Sequence, residues 1–480
     1  MMNKKNYDKI LAQLKVEHQN LSSRKLDFLG GQVCVLYTKQ LTDRIALSEH
    51  IIKPLVQCSK TVMIKAKYIM ENIIFADDCK IEYTNEKLEE SLLNGMTIIL
   101  LSNDSHFIVV NIKKVKQRAV TTPELSYTLR GPKDCFVENL DTNISLLRYR
   151  FKAKSFKIDY MQAGARTKAT IAVAYFEDIA NDGVVKEIKK RIDAIDIDGI
   201  IESGELQAFL LNKKTNLFPQ MGVVERSDMA CGALLEGKVV ILVEGSGIAL
   251  VAPKVLSEFL WSCDDIYDNK YVGFFLRGLS VLALILSLVA SALYIAVVSF
   301  HNDTLPSEYV ILLAKARAKV PFNAFTEVVI IEIIVELLRE ALVRVPSKIG
   351  TAIGIVGAII IGEAAISAGI FSPLLLIVVS LSLIASFVPS DFTLTNAFRL
   401  LKYMLIIMTG ILGIYGMILG LLLILAQLVS INTFGVAYMA PYAPFIKKDA
   451  LKSIFYDKTM APDRPSFLKP KDKYRGTSDN

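Results

Sequence analysis

The stretch GLSVLALILSLVASALYIAVVSF, Gly278–Phe300, decides the fold of this chain because it carries no charge between Arg277 and His301. At about 1.5 Å per helical residue it is long enough to cross the roughly 30 Å hydrocarbon core of a bilayer. Further apolar runs follow at Ile349–Ser367, Leu374–Val388 and Tyr403–Val429. Backbone polar groups find no water inside a bilayer, so such runs are predicted to be helices. The sequence therefore predicts an integral membrane protein with an all-α polytopic domain.

The composition separates this apolar part from an ordinary soluble part. The chain has 480 residues, of which 52% are hydrophobic, and residues 1–277 have the mixed charge of a soluble protein. The formal net charge is +7, and much of it lies after Ile446. A basic tail of this kind is typical of a cytoplasmic segment near membrane lipid, and no nucleic-acid surface is expected.

Cysteine and histidine usage argues against several kinds of site. The six cysteines are isolated and have no CxxC spacing, so we expect neither a zinc site nor a disulfide framework, and a reducing compartment. The four histidines are dispersed, and no Walker motif or nucleophile elbow occurs. We therefore expect no metal, no cofactor and no enzyme activity. The polar N-terminus predicts no cleavable signal peptide, which favours a cytoplasmic soluble part.

Strand and helix patterns predict two α/β subdomains, at residues 1–130 and 131–262. Thr97–Leu101 and His106–Ile112 flank turn residues, and Val184–Ile195 has the apolar spacing of an amphipathic helix. Glu244–Gly247 (EGSG) is interpreted as a hairpin turn, because a β-rich run and not a helix follows it. A juxtamembrane linker (263–277), the transmembrane domain (278–445, about four spans) and the basic cytoplasmic tail (446–480) follow.

Thr326–Pro346 (TEVVIIEIIVELLREALVRVP) contains an amphipathic helix over residues 326–344. Its acids Glu332, Glu336 and Glu340 recur every four residues and share one helical face, within pairing reach of Arg339 and Arg344. One interpretation is an interfacial helix with its acids in water. The other is a helix in an oligomer whose acidic stripe faces an aqueous path, where glutamate rings would favour cations.

The following span carries small residues every four positions, at Gly350, Gly354, Ala358 and Gly362, with Glu363 beside the last. Such a ladder permits close helix packing, so the span is either a packing face with one internally paired acid or a pore-lining or gating helix. Gly416 and Gly420 are interpreted as packing residues only. Four spans would place both termini in the cytoplasm.

From about Arg130 onward the chain resembles the A subunit of the GerA family of spore germinant receptors, which includes SpoVAF-type homologues. The resemblance rests on an ordered series of blocks: RGPKDCFVENLDTNISLLRYR (Arg130–Arg150), DGIIESGELQAFL (Asp198–Leu210), LLEGKVVILVEGSGIALVAP (Leu234–Pro253), VPFNAFTEVVIIEIIVELLREALVRVP (Val320–Pro346), GIVGAIIIGEAAISAGIFSP (Gly354–Pro373) and TFGVAYMAPYAP (Thr433–Pro444). Glu363 stands where the family usually has glutamine.

The resemblance implies a subunit of the spore inner membrane with two cytoplasmic α/β subdomains. It also implies a nutrient-sensing membrane B subunit and a lipoprotein C subunit as partners, and a homo-oligomer that forms a nutrient-gated cation channel. It favours the pore interpretation of the acidic stripe and of the small-residue ladder. A non-conducting scaffold or signalling subunit that couples a sensing partner to downstream germination proteins remains the alternative.

Overall fold

The computed structural model describes residues 21–28, 31–58, 65–113, 131–211, 216–261, 270–345, 360–389, 391–454 and 463–476. The chain divides into two compact units. The first, called the α/β unit, comprises Met1–Asn212, Met221–Pro253 and Pro462–Asn480. The second, called the helical unit, comprises Lys213–Gln220 and Lys254–Ala461.

The first sheet of the α/β unit is antiparallel, with strand order β1-β2-β4-β5-β3. Its strands are β1 (Leu21–Phe28), β2 (Gly31–Thr38), β3 (Cys79–Glu82), β4 (Thr97–Leu101) and β5 (Phe107–Val110). Its helices are α1 (Arg44–Ala46, Leu47–Ile52 as a π-helix, and Lys53–Gln57), α2 (Ala66–Asn72) and α3 (Asn85–Leu93). Helices cover both faces, which is why every residue of β4 and β5 is buried.

The second sheet repeats the first, with antiparallel strand order β6-β7-β9-β10-β8. Its strands are β6 (Phe156–Ala163), β7 (Ala169–Phe176), β8 (Gly222–Val224), β9 (Val239–Val243) and β10 (Ala249–Ala252). Its helices are α4 (Leu140–Arg150), α5 (Asp182–Asp193), α6 (Ser203–Leu210) and α7 (Ser227–Leu235). Two strands, two helices, a strand, a helix and a hairpin therefore occur twice in the same order.

The local predictions for this unit agree with the structure. Thr97–Leu101 is β4, and the turn at Glu244–Gly247 joins β9 and β10 in an antiparallel hairpin, as predicted. Gly245 in that turn has φ +88°, a conformation that glycine adopts without a steric penalty. The α/β fold class of this region is confirmed.

Residues of the C-terminal tail belong to the α/β unit. Arg464 donates from Nε to the carbonyl oxygen of Leu235, and Lys471 Nζ lies 2.7 Å from Asp182 Oδ1 at the start of α5. The region predicted as one basic tail is thus divided between the two units: α16 (Lys447–Ile454) lies in the helical unit, and residues 463–476 pack on the second sheet's helices. Some of the tail's positive charge is paired there with acids of the same chain.

Asp134 joins two helices of the second subdomain, α4 and α7, through hydrogen bonds. Arg150 Nη2 lies 2.6 Å from Asp134 Oδ2, and the Ser227 hydroxyl donates to the same oxygen. Burial alone would raise the pKa of Asp134, but the hydrogen bonds from Ser227 and Arg150 bring it below the ordinary value for an aspartate.

This depressed pKa predicts an acid dependence of stability. Because the folded pKa is below the unfolded value, the contribution is fully present above about pH 3.9 and is lost as the pH falls through the folded pKa. Hydrogen exchange of peptides from β7 and β9 in the full chain should accelerate over that window, and Asp134→Asn should make exchange less dependent on pH there. An unchanged pH profile in Asp134→Asn would contradict the assignment.

The helical unit contains nine helices among its described residues, including α16. The others are α8 (Leu256–Phe259), α9 (Lys270–Ile295, continued by a π-helix at Ala296–Phe300), α10 (Ser307–Arg317), α11 (Ala324–Arg344), α12 (Ala365–Ser367, preceded by a π-helix at Ile360–Ala364), α13 (Pro373–Ala385), α14 (Phe392–Leu412) and α15 (Ile414–Ser430). Their buried faces form two apolar clusters, one around α9, α14 and α15 and one around α11 and α13. These clusters hold the long helices together.

An aromatic cluster connects α14 to the segment before β8. Phe218 and Phe259 are fully buried, and the rings of Phe218 and Phe398 meet edge to face with centroids 5.5 Å apart. Tyr438 packs against both Phe218 and Phe259. The segment around Phe218 therefore belongs to the helical unit, although it is flanked in sequence by α6 and β8.

Two described helices, Tyr271–Phe300 and Phe392–Leu412, are long and apolar enough to cross a membrane. The first contains the predicted span Gly278–Phe300. The predicted span Leu374–Val388 corresponds to α13, a shorter apolar helix. Most of the predicted span Ile349–Ser367 lies outside the described residues.

The prediction of one span over Tyr403–Val429 is wrong, because the helix ends at Leu412 and a new helix begins at Ile414. Gly413 between them has φ +63°, which reverses the chain into a helical hairpin. A Cβ on Gly416 would lie 2.0 Å from the carbonyl oxygen of Met408, and one on Gly420 would lie 2.6 Å from Leu405 Cδ1. The predicted packing role of these two glycines is confirmed.

Candidate functional site

The acidic helix α11 places its glutamates at different depths in the helical unit. Asn323 caps the helix by accepting a hydrogen bond from the backbone N–H of Thr326. Glu327 and Glu332 are buried, with 0% and 4% exposure. The side chains of Glu336 and Glu340 are 34% and 51% exposed. The first acids of the helix therefore lie in the interior of the unit, and its last acid lies on the surface.

Glu332 is the centre of a buried polar network. Its Oε1 lies 2.6 Å from Lys402 Nζ on α14 and accepts a 2.5 Å hydrogen bond from Ser291 Oγ on α9. Lys402 also donates to Ser382 Oγ on α13, and that hydroxyl donates to the backbone oxygen of Ser287. Four helices are thus joined through one ion pair, which fixes their packing.

The other glutamates are paired as well. Glu327 Oε2 lies 3.3 Å from Arg317 Nη2, and Glu327 Oε1 accepts a hydrogen bond from the backbone N–H of Ser372. Glu336 pairs with Arg399 of α14. On the surface, Arg344 Nη2 lies 2.6 Å from Glu340 Oε1. The acids of α11 are therefore neutralised by cations of the same chain.

This arrangement confirms one predicted ion pair and corrects another. Arg344 pairs with Glu340, as expected. Arg339 was predicted within reach of Glu336 or Glu340, but its guanidinium donates to Ser386 Oγ and lies over the Phe387 ring. The reason is orientation, because Arg339 projects towards the end of α13 while Glu336 projects towards Arg399 on α14. Glu332 is 4% exposed, which differs from the interfacial interpretation, in which the acids lie in water.

The small-residue ladder is only partly described. Gly350, Gly354 and Ala358 lie outside the described residues, whereas Gly362 and Glu363 lie in the π-helix Ile360–Ala364. A Cβ on Gly362 would meet no atom within 4 Å. Glu363 is exposed and forms no ion pair with any described residue, so the predicted internal pairing of this acid is not observed in that part of the chain.

A small cavity of about 20 Å³ lies beside the network, between α9, α11, α13 and α14. Its ionisable lining consists of Glu332, Glu336, Arg339, Arg399 and Lys402, with Tyr403 and several hydroxyl side chains. Two carboxylates thus face three cations, which leaves one positive charge in excess. Among the described residues, no group of His, Cys, Asp and Glu is placed to hold a metal ion.

The sequence did not predict the two cations that α14 contributes to this site. Arg399 and Lys402, three positions apart, are the two charged residues of α14, which is otherwise mostly apolar. Charges in such a helix normally face a partner inside the bundle, so this spacing was the available signal. The sequence does not specify which acids they meet, since those acids lie more than sixty positions earlier in the chain.

The two units together define a class of protein: an α/β part joined to apolar helices that associate with a membrane. The chain belongs to the GerA family, since the family model described as Bacillus/Clostridium GerA spore germination protein matches residues 8–466.

Several members of this family are similar over most of the chain. Spore germination protein KA of Bacillus subtilis is 35% identical, with 98% of this chain and 86% of the relative covered. Spore germination protein GerLA of Bacillus cereus is 31% identical, with 94% and 93% covered. The crystal structure of the N-terminal domain of the A subunit of the Bacillus megaterium spore germinant receptor GerK3 aligns at 24% identity and a TM-score of 0.41, covering 52% of this chain and 94% of that one.

Proposed function

We propose that this chain is the A-type subunit of a spore germinant receptor. In this proposal it oligomerises in the spore inner membrane and forms a nutrient-gated cation channel that starts germination. A nutrient-sensing membrane B subunit and a lipoprotein C subunit are its partners. The proposal is supported by membership in the GerA family and by relatives named as spore germination proteins.

The observation that carries the channel part of the proposal is the charge network of α11 and α14. Charged side chains within apolar helices are expensive at membrane depth and are kept where they pair or line an ion path. Glu332 and Lys402 do pair, in a network that also reaches α9 and α13. A network that joins four helices can hold a closed state, and breaking its ion pair would let the helices separate.

The acids proposed to face the pore lie on α11 and in the π-helix at Ile360–Ala364. Glu336, Glu340 and Glu363 are the more accessible acids, so they are proposed to attract cations, whereas Glu332 is held by Lys402. The ladder Gly350, Gly354, Ala358 and Gly362 is proposed to pack or gate next to the pore.

The proposed orientation has the α/β unit and the tail in the cytoplasm. Residues 221–253 and 463–476 belong to the same unit, although the helical unit separates them in sequence. An even number of membrane crossings between them satisfies this arrangement. Among the described residues, Cys79, Cys135 and Cys231 are free thiols, which suits a reducing compartment.

Substitution of the exposed acids tests the channel. Glu340→Gln with Glu363→Gln should lower the potassium-over-chloride selectivity of the assembled receptor, measured as a reversal potential in planar bilayers, because two negative charges near the path are lost. Neither substitution removes a buried partner, so assembly should be unchanged. Glu308→Gln, an exposed acid on α10, is the control and should leave the selectivity unchanged. Normal selectivity in the double variant would contradict the role of these acids.

The alternative is a non-conducting scaffold that couples a sensing partner to downstream proteins. One observation favours it: the glutamates of α11 are already paired with cations of the same chain. A receptor that assembles normally and conducts no ions would support this alternative.

A further inference from the structure

Arg339 is the surplus cation of the cavity. Glu332 pairs with Lys402 and Glu336 pairs with Arg399, and no described carboxylate lies within ion-pair distance of Arg339. Its Nη2 donates a 3.0 Å hydrogen bond to Ser386 Oγ, and its guanidinium carbon lies 5.2 Å from the Phe387 ring centroid. Its Nε is buried and has no hydrogen-bond partner among the described residues.

An anionic hydrogen-bond acceptor would stabilise the Arg339 guanidinium in this environment. A buried donor of a charged group is costly when it is left unsatisfied, and a neighbouring phenyl ring offers only weak compensation. The Nε of Arg399, which lines the same cavity, is also buried without a hydrogen-bond partner among the described residues. Guanidinium groups bind phosphate oxygens through several charge-assisted hydrogen bonds, more favourably than other cations do.

The position of Arg339 indicates where this anion comes from. Ser386 and Phe387 lie between α13 and α14, in the connection that leads to Asp391. Asp391 pairs at 3.0 Å with Lys254, which lies two residues after β10, the last strand of the α/β unit. The site is therefore at the end of the helical unit where the chain enters it, the end that the proposed orientation puts at the cytoplasmic headgroup layer. Anionic lipids are concentrated in that leaflet.

The surface beside the site is apolar and exposed. Phe387 is 60% exposed, and Ile384 and Leu381 on α13 are 65% and 49% exposed. Acyl chains can cover such a surface while a headgroup meets the guanidinium. We propose that Arg339 and Ser386 bind the phosphodiester of an anionic phospholipid whose acyl chains lie along α13. This site rests on the proposed orientation and assigns the helical unit a specific lipid contact.

Thermal unfolding of the full chain in neutral maltoside micelles tests the site, with short-chain phosphatidylglycerol added. Phosphatidylglycerol should raise the Tm of the unsubstituted chain, and the half-maximal concentration should rise roughly tenfold or more in Arg339→Gln, since a charge-assisted contact is lost. Arg339→Lys should have an intermediate effect because it keeps the charge. Arg344→Gln is the matched control: it removes an arginine of the same helix that already pairs with Glu340, and should bind nearly as the unsubstituted chain does.

A second readout separates binding from folding. Without added lipid, Arg339→Gln should unfold at the same or a higher temperature than the unsubstituted chain, because an uncompensated charge is removed. Equal protection by phosphatidylcholine, or equal phosphatidylglycerol binding by Arg339→Gln and Arg344→Gln, would overturn the site. An Arg339-dependent shift with inorganic phosphate alone would overturn the phospholipid assignment. None of these measurements requires ion conduction or partner subunits, so their failure is distinct from failure of the channel proposal.

Discussion

Replacing Lys402 with methionine should lower the free energy of unfolding by about 3–5 kcal/mol, because the buried Glu332 carboxylate would lose its charged partner. Glu332 is 4% exposed. Without Lys402, its carboxylate keeps the hydrogen bond from the neutral Ser291 hydroxyl. Methionine has a similar length, so the loss of packing is small. Chemical unfolding of the purified full chain in micelles measures the change.

Two further variants show whether the ion pair causes the effect. The double variant Lys402→Met with Glu332→Gln should regain part of the loss, since no uncompensated charge remains. Glu340→Gln should change stability by less than about 1 kcal/mol, because Glu340 and Arg344 form an exposed pair. If Lys402→Met proves as mild as Glu340→Gln, the network does not hold the helices as described.

Gly416→Ala should destabilise the hairpin of α14 and α15 by about 2–3 kcal/mol. The added Cβ would lie 2.0 Å from the backbone oxygen of Met408, and a backbone atom of a helix cannot move aside alone. The two helices must then separate, which exposes the apolar surface between them. The measurement is the midpoint of unfolding in micelles, with assembly followed by gel filtration.

Gly278→Ala is the matched control for this prediction. Gly278 lies within α9, and a Cβ there would meet no atom within 4 Å. Alanine should therefore stabilise the chain by up to about 1 kcal/mol through helix propensity alone. Opposite signs for the two substitutions support the close helical hairpin, whereas equal effects would refute it.

Local sequence signals were sufficient for much of the fold. The amphipathic helix predicted over residues 326–344 corresponds to α11, and the hairpin turn at Glu244–Gly247 joins β9 and β10. These elements are determined by hydrophobic periodicity and turn residues that are close together in sequence. The α/β class of the first unit followed from the same signals.

Features determined by tertiary contacts were missed. The two sheets share one topology without an evident sequence repeat, since strand order depends on pairings distant in sequence. The turn at Gly413 lies within continuous apolar sequence, so hydropathy does not reveal it. Likewise, spacing on α11 suggested local partners for its acids, whereas Glu332 and Glu336 take theirs from α14.

Potassium efflux from liposomes is the most direct test of the proposed channel. The chain should be reconstituted alone and then with its partner subunits, with and without candidate nutrients, and assembly should be verified in each case. The proposal predicts nutrient-dependent efflux from the assembled receptor, with potassium favoured over chloride and selectivity lowered by Glu340→Gln with Glu363→Gln. No efflux in any combination, despite verified assembly, would contradict a pore in this chain and identify it as a scaffold.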